Sequence, residues 1–452
     1  MKITFLGGVG TVTGSKYLIE HQKKRILVDC GLFQGYKQLR LKNWQPFPVP
    51  PASIDAVILT HAHIDHSGYL PLLIKNGFKG KVYATSGTCD LCHILLPDSG
   101  FLQEKDADFA NRHGFSKHRP AQPLYSQRDA VRALEHLKPM AFDVPFDLDG
   151  IGTVLFRPAG HILGAAIVEL QIAGKRIVFS GDLGRKDSPI MVDPAILHHA
   201  DYLVVESTYG NKVHDPGDVE TALAAIINQT AARGGTVLLA SFAVGRAQML
   251  LYHLWRLKEA RKIGDLPIFL DSPMAINATE LYGRHAGEHK LSPEQCEKIF
   301  SAARYVREVE DSKALDHDPM PKILISASGM ATGGRVLHHL KSYVSDHRNC
   351  ILFTGFQAGG TRGEALLAGA QSIKIHGAYY PVKAEVQSLP MLSAHADSNG
   401  IMDWLGHLES PPRCTFITHG EPAAADCLRH RIEEDLGWKT LVPDYRETVA
   451  LR

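Results

Sequence analysis

The stretch Thr60-His61-Ala62-His63-Ile64-Asp65-His66-Ser67-Gly68 places three imidazoles and a carboxylate within six residues. Nitrogen and oxygen donors of this kind suit Zn²⁺, which holds them at roughly 2.0 to 2.2 Å, so the side chains must converge from a constrained loop rather than spread along a helix. Upstream, Ile54-Asp55-Ala56-Val57-Ile58-Leu59-Thr60 reads as a short apolar strand, and Tyr69-Leu70-Pro71-Leu72-Leu73-Ile74 opens a helix. The cluster therefore occupies a strand-to-helix turn and outlines a site for two metal ions. The chain carries 24 histidines. A lone histidine is ordinarily structural, but His-x-His-x-Asp-His beside glycine is hard to produce by chance.

One turn cannot saturate two ions, so further donors must come from elsewhere. His161 lies in Pro158-Ala159-Gly160-His161-Ile162-Leu163-Gly164, between two strand-like segments. Asp182 closely follows the apolar run Ile177-Val178-Phe179-Ser180, and His419 follows Thr415-Phe416-Ile417-Thr418 and precedes Gly420. Each could be a satisfied structural residue. Their common pattern, a polar donor at the carboxyl end of an apolar strand beside glycine, favours a shared rim.

A length of 452 residues exceeds what one hydrophobic core normally holds, and 44% hydrophobic residues allow two domains to be filled. Lys plus Arg number 49 against 48 Asp plus Glu, a net charge of +1, which excludes a protein that coats nucleic acid by bulk charge. The beginning has no signal-peptide layout and no apolar run reaches membrane-span length, so a cytoplasmic protein that avoids membranes is expected. The seven cysteines (30, 89, 92, 296, 350, 414 and 427) are dispersed and fit reduced thiols. Cys89-x-x-Cys92 has no answering pair and reads as part of a helix turn.

Short strands dominate the first part: Lys2 to Leu6, Ser15 to Glu20, Arg25 to Asp29 and Lys81 to Ala84. From Ser86 to about Lys138 the pattern turns helical and polar, and strands return at Thr153 to Phe156, Ala165 to Ile172 and Arg176 to Ser180. After Asp201 to Glu206 the rhythm changes. Between about 211 and 385, strand, small-residue loop and helix repeat, as in Thr236 to Ala240, Ile268 to Leu270, Ile323 to Ile325 and Ile351 to Phe353 with the loops behind them. Such units build a parallel sheet whose loops gather at the carboxyl ends of its strands. No Gly-x-Gly-x-x-Gly opens a first βαβ unit and no phosphate-loop signature occurs, so no nucleotide cofactor is implied. Gly437 to Arg452 reads as a terminal strand.

Asp29 in Val28-Asp29-Cys30-Gly31, the His61–His66 turn, His161 and Asp182 resemble the ordered motifs of the metallo-β-lactamase superfamily. Glu206, His395 in Ser393-Ala394-His395-Ala396-Asp397, and His419 resemble the additional motifs of its β-CASP branch, the nucleic-acid-processing members. The likeness spans essentially the whole chain, and is strongest to bacterial and archaeal relatives of the cleavage and polyadenylation endonuclease. It implies an αββα sandwich interrupted by a β-CASP domain with a largely parallel sheet. Residues 1–209 and 390–452 would form the first domain and 210–389 the second.

The resemblance also implies site roles. His61, His63 and His161 would hold one Zn²⁺, Asp65, His66 and His419 another, and Asp182 would bridge them. Together the ions would activate a hydroxide, which Asp65 would help orient. Asp29 would position the ligand turn, although a turn-forming Asp before Gly31 is an equally good reading. His395 would act as general acid with Glu206 as its partner, whereas on the plainer view Glu206 is a strand-end acid and His395 caps the following helix. Arg246, Ser328, Gly329, Arg335 and Arg362, on the second-domain loops, are candidates to grip phosphates of a strand in the interdomain cleft. The expectation is a zinc-dependent ribonuclease acting on single-stranded RNA, endonucleolytic or from a 5′ end, and leaving 5′-phosphate and 3′-hydroxyl ends. His419 favours RNA over DNA, since DNA-repair members usually carry valine there. The alternatives are a DNA nuclease of the same branch, a small-molecule metallohydrolase such as a thioesterase or lactonase, and an inactive RNA-binding partner. A homodimer is compatible with the sequence but not indicated by it.

Overall fold

The computed structural model describes residues 1–114, 116 and 118–452. It divides into two compact units, Met1–Val213 with His395–Arg452, and His214–Ala394. These divisions fall a few residues beyond the changes of rhythm at 209/210 and 389/390.

The first unit is built on two seven-stranded sheets. One has the order Thr448–Ala450, Lys2–Gly7, Lys16–His21, Lys24–Val28, Ala56–Ile58, Lys81–Thr85, Leu137–Met140. The other runs Thr440–Leu441, Cys414–Thr418, Tyr202–Glu206, Lys175–Phe179, Ala166–Ile172, Thr153–Pro158, Phe146–Asp147. Alternate side chains of each strand point to one face. Ile3, Phe5, Tyr17, Ile19, Ile26, Val28 and Ile58 from the first sheet accordingly meet Val154, Phe156, Val168, Leu170, Ile177, Phe179 and Phe416 from the second in one buried cluster. The terminal stretch does not make one strand. Thr440–Leu441 pairs with Cys414–Thr418 and Thr448–Ala450 pairs with Lys2–Gly7, so it edges both sheets.

Parallel pairing brings the donors to one edge of the sandwich. Val28 is in register with Ile58, Phe179 with Val204, and Glu206 with Thr418. Asp29, His61, Asp182 and His419 follow those strand ends. The late segment Cys414–Thr418 pairs beside Tyr202–Glu206, and is therefore integral to the first unit.

The second unit holds a six-stranded parallel sheet, ordered Arg304–Tyr305, Ile268–Asp271, Ile323–Ser326, Val237–Ala240, Cys350–Phe353, Glu385–Ser388. Its central strands are buried throughout, as sheets covered on both faces require. The strand–loop–helix repeat is thus a parallel sheet. A buried polar chain supports it: His339 bonds through Nε2 to Asp271 Oδ2 at 2.8 Å and through Nδ1 to Asp316 Oδ1 at 2.7 Å, while Asp271 also accepts from Ser312 and Arg335. Burial opposes charge on His339, but these carboxylate bonds outweigh it and raise its pKa above the ordinary value. A raised folded pKa gives stability that is complete below about pH 6.5 and is lost as pH rises through the folded value. Calorimetry of the full chain should show the wild type losing more melting temperature between about pH 6 and pH 9 than His339→Gln. Equal slopes would remove the charged imidazole from this account.

Candidate metal centre

The sequence around His61 makes a turn and one short helix rather than a loop alone. The strand ends at Ile58, and Asp65 and His66 lie within the helix Ile64–Ser67, with His63 at its N-terminal boundary. Backbone bonds fix this turn to the neighbouring strand ends: Ser15 N–H donates to Asp65 O, Cys30 N–H to His66 O and Leu32 N–H to Ile64 O, all within 2.9 Å. Gly31 is required by that closeness, because a Cβ there would lie 1.6 Å from Asp65 O.

Two donor sets meet at Asp182. His61 Nε2 and His63 Nδ1 are 3.2 Å apart, and His63 Nδ1 and His161 Nε2 3.3 Å. Asp182 Oδ2 stands 3.4 Å from His61 Nε2 and 3.5 Å from His161 Nε2. Neighbouring atoms of this set lie 3.2 to 3.5 Å apart, a spacing compatible with donors that share one ion at about 2.0 to 2.2 Å. Asp182 Oδ1 faces the other set, 3.2 Å from His66 Nε2 and 3.5 Å from His419 Nε2. Asp65 Oδ2 approaches His66 Nε2 at 3.9 Å and His419 Nε2 at 3.7 Å.

The donor set fits divalent ions. His66 Nε2 and Asp182 Oδ1 are buried without a hydrogen-bond partner while facing each other, an arrangement that costs free energy unless a cation lies between the groups. Burial pushes the pKa values of His61 and His161 well below the ordinary imidazole range and that of His419 down to about 3, whereas Asp182 and Asp29 outweigh burial at His66 and raise its pKa well above that range. For Asp182, burial favours the neutral acid, but the surrounding imidazoles hold the carboxyl well below its usual range. Side-chain exposure is 20% for Asp65 and 0% for His61, so the Asp65 side is the more open.

The backs of the rings are held as well. Asp29, in a left-handed conformation at φ 58°, accepts from His66 Nδ1–H at 2.8 Å and from Thr60 N–H at 2.8 Å. It combines a turn conformation with a carboxylate bonded to the His66 ring. Thr60 Oγ donates to Asp29 and lies 3.1 Å from His61 Nδ1, whose N–H it can accept. Ser15 Oγ lies 2.8 Å from His419 Nδ1, and His419 is itself left-handed at φ 48°. Each contact turns an Nε2 lone pair forward. Sequence reasoning missed the roles of Ser15 and Thr60, since neither side chain is a metal donor.

Glu206 and His395 also meet. His395 Nδ1 lies 3.1 and 3.2 Å from the two Glu206 oxygens, and its ring centroid is 4.4 Å from that of His161. Burial works against charge on His395, but Glu206, then Asp182 and Asp65, raise its pKa. His395 is not the helix cap: Asp397 accepts Gly400 N–H at the start of Ser398–Leu405.

The second-unit candidates look different. The Arg335 guanidinium donates to Asp271 and to the carbonyls of Val306 and Arg307, so it is already engaged within its own unit. Arg362 donates to the Lys374 and Ala331 carbonyls, and Arg246 is buried at the start of a helix. The Ser328 hydroxyl accepts Thr332 N–H, and Gly329 O accepts from Gln357. Cys89 and Cys92 are buried in the helix Ser86–His113, where burial pushes the Cys89 thiol up to about 12 and that of Cys92 higher, which removes a redox role at neutral pH.

The sandwich and its donor set define a metallo-hydrolase. A metallo-β-lactamase superfamily model matches residues 9–240, a Beta-Casp domain model residues 247–366, and a model of the Zn-dependent metallo-hydrolase RNA specificity domain residues 379–443. Ribonuclease TTHA0252 of Thermus thermophilus is 37% identical over 93% of both chains. A transcription termination factor FttA of Methanosarcina mazei is 30% identical over the whole of this chain and 72% of its own length, and an RNase J-like protein of Methanocaldococcus jannaschii 29% identical over 98% and 97%. The crystal structure of an Enterococcus faecalis protein of unknown function shares the fold at a TM-score of 0.53 with 14% identity, covering 100% and 99% of the two chains. The chain belongs to the β-CASP branch of the metallo-β-lactamase superfamily. Among the described residues no helix is long and apolar enough to cross a membrane.

Asp29→Asn keeps an acceptor but removes the charge behind His66. Competition against a chromogenic chelator should show divalent-ion affinity reduced about 10- to 100-fold, with the far-ultraviolet circular dichroism unchanged. Undiminished affinity would mean that the Asp29–His66 pair does not tune the site.

Proposed function

We propose that the protein is a zinc-dependent ribonuclease that hydrolyses single-stranded RNA to 5′-phosphate and 3′-hydroxyl ends. The observation that carries this reading is the His395–Glu206 pair beside the two donor sets. A phosphodiesterase needs a proton source that is not itself a ligand, and this pair supplies one. Relatives named as ribonucleases, together with the RNA specificity match over a segment that includes His395 and His419, support RNA as the substrate.

His61, His63, His161 and Asp182 would hold one Zn²⁺, and Asp65, His66, His419 and Asp182 a second. When bound, such ions neutralise a phosphate oxygen and lower the pKa of water so that it attacks at neutral pH. Asp65, on the more exposed side, orients that water. As the P–O3′ bond breaks, protonated His395 gives its proton to the departing 3′ oxygen. The oxygen from water stays on phosphorus as part of the 5′-phosphate. Glu206 accepts the His395 Nδ1–H throughout, which leaves Nε2 as the proton-transfer atom and stabilises the imidazolium before transfer.

Purified protein should contain close to two zinc equivalents by mass spectrometry, and chelation should abolish cleavage of a labelled oligoribonucleotide. Product-end mapping should find 5′-phosphates. His395→Ala should keep its metal and lose about 10²- to 10⁴-fold in cleavage rate. Full cleavage by that variant would reject His395 as the acid, and 2′,3′-cyclic ends would reject the water attack.

A further inference from the structure

A ladder of alternating cations and rings runs through the first unit behind the ligand turn. Lys16 Nζ lies 4.8 Å from the Tyr69 ring centroid and 4.6 Å from that of Phe33. Lys42 Nζ lies 5.2 Å from Phe33 and 4.0 Å from Tyr445, and the Arg446 guanidinium 5.3 Å from Tyr445. Among the described residues no carboxylate forms an ion pair with the inner cations Lys16 and Lys42. Lys16 is 3% exposed and donates to Gly14 O, and burial pushes its ammonium pKa down to about 8. Burial likewise lowers the Lys42 pKa, with Arg446 adding to the effect.

The segment that carries the ladder to the surface has one sign throughout. From Cys30 to Ile54 the chain contains Lys37, Arg40 and Lys42 and no Asp or Glu, within a protein whose net charge is only +1. Tyr36 is 58% exposed and Trp44 57% exposed on this same segment. These rings do not hang on a loose loop. Asn43 Oδ1 accepts Phe33 N–H at 3.0 Å and Asn43 Nδ2 donates to Phe33 O at 2.8 Å, closing the segment like a pair in a strand ladder. Arg40 is tied back to Gly35 O at 2.9 Å.

Flat rings held in water among cations that have no carboxylate partner among the described residues suit a polyanion that also has flat faces. An acidic peptide would match the charge and leave the rings idle. A lipid surface calls for a longer amphipathic helix than the six residues Lys37–Lys42. We propose that Tyr36–Trp44, with Tyr445 and Arg446, is a docking surface for single-stranded RNA, with phosphates on Lys37 and Arg40 and bases stacked on Trp44 and Tyr36. This rests on the ribonuclease reading and extends it to a contact outside the metal centre.

The test uses the full-length, metal-loaded protein carrying His395→Ala, so that the strand survives, and a fluorescein-labelled oligouridylate of about 20 nucleotides read by anisotropy across a salt series. Adding Trp44→Ala should weaken binding about tenfold, and Trp44→Phe should restore most of it. Adding Lys37→Ala with Arg40→Ala should make the log–log salt slope shallower by about 1.4, at about 0.7 per phosphate contact. Unaltered melting temperatures keep misfolding apart from loss of contact. If the parent binds and all variants bind equally, this surface is overturned while the ribonuclease reading stands. If Trp44→Ala is silent and the charge variant weakens RNA and polyglutamate alike, the surface is a general polyanion contact and the proposal is likewise overturned. If the protein with His395 intact neither binds nor cleaves RNA, both readings fall together.

Discussion

One carboxylate faces two groups of imidazoles, and the rest of the first unit is arranged to deliver it. Asp182 turns Oδ2 to His61 and His161 and Oδ1 to His66 and His419, all between 3.2 and 3.5 Å. A shift of one ångström would lose one group or the other. Its loop is therefore pinned closely: Leu183 N–H donates to Glu206 Oε1 at 2.7 Å, and Gly184 sits where a Cβ would fall 2.1 Å from the Gly160 carbonyl. Glu206 thus serves two purposes. The oxygen that steadies the Asp182 loop also lies 3.1 Å from His395 Nδ1, so removing Glu206 would disturb Asp182 together with His395. Substitution of His395 separates those effects and substitution of Glu206 does not.

The same chemical pair appears twice with different consequences. Asp29 behind His66 and Glu206 behind His395 each place a buried carboxylate against an imidazole Nδ1. In front of His66 stands Asp182, so that ring faces another donor and suits a shared cation. The His395 ring lies tilted against His161, with centroids 4.4 Å apart. The two rings differ in what lies in front of them, since the support behind them is alike.

Much of this arrangement was legible in the sequence because it is local or repetitive. The His61–His66 turn needs only its own spacing, and strand–glycine–donor patterns point to a common edge once the parallel rhythm is seen. The supporting contacts were hidden because they depend on register. Ser15 reaches His419 across 404 positions, and no spacing rule links them. The partners of the arginines were hidden for a related reason. Arg335 is paired with Asp271, 64 residues earlier, and a charge in a sequence carries no sign of its partner. Likewise Gly437 to Arg452 has the composition of one strand, and only the two sheets decide that it serves as two edges.

The ladder and the metal centre are two faces of the same segments. Successive residues of extended chain point in opposite directions, so Ser15 steadies His419 while Lys16, next to it, reaches between Phe33 and Tyr69. Phe33 is two residues beyond Gly31, which closes on Asp65, and Tyr69 is three beyond His66. Any force that displaces Phe33 or Tyr69 must act on backbone that also carries the ligand turn, through Tyr69 N–H to Cys30 O at 2.8 Å and Leu32 N–H to Ile64 O at 2.9 Å. A strand docked on the outer rings would therefore press on a braced wall, with the buried Lys16 ammonium, whose pKa burial lowers to about 8, behind it.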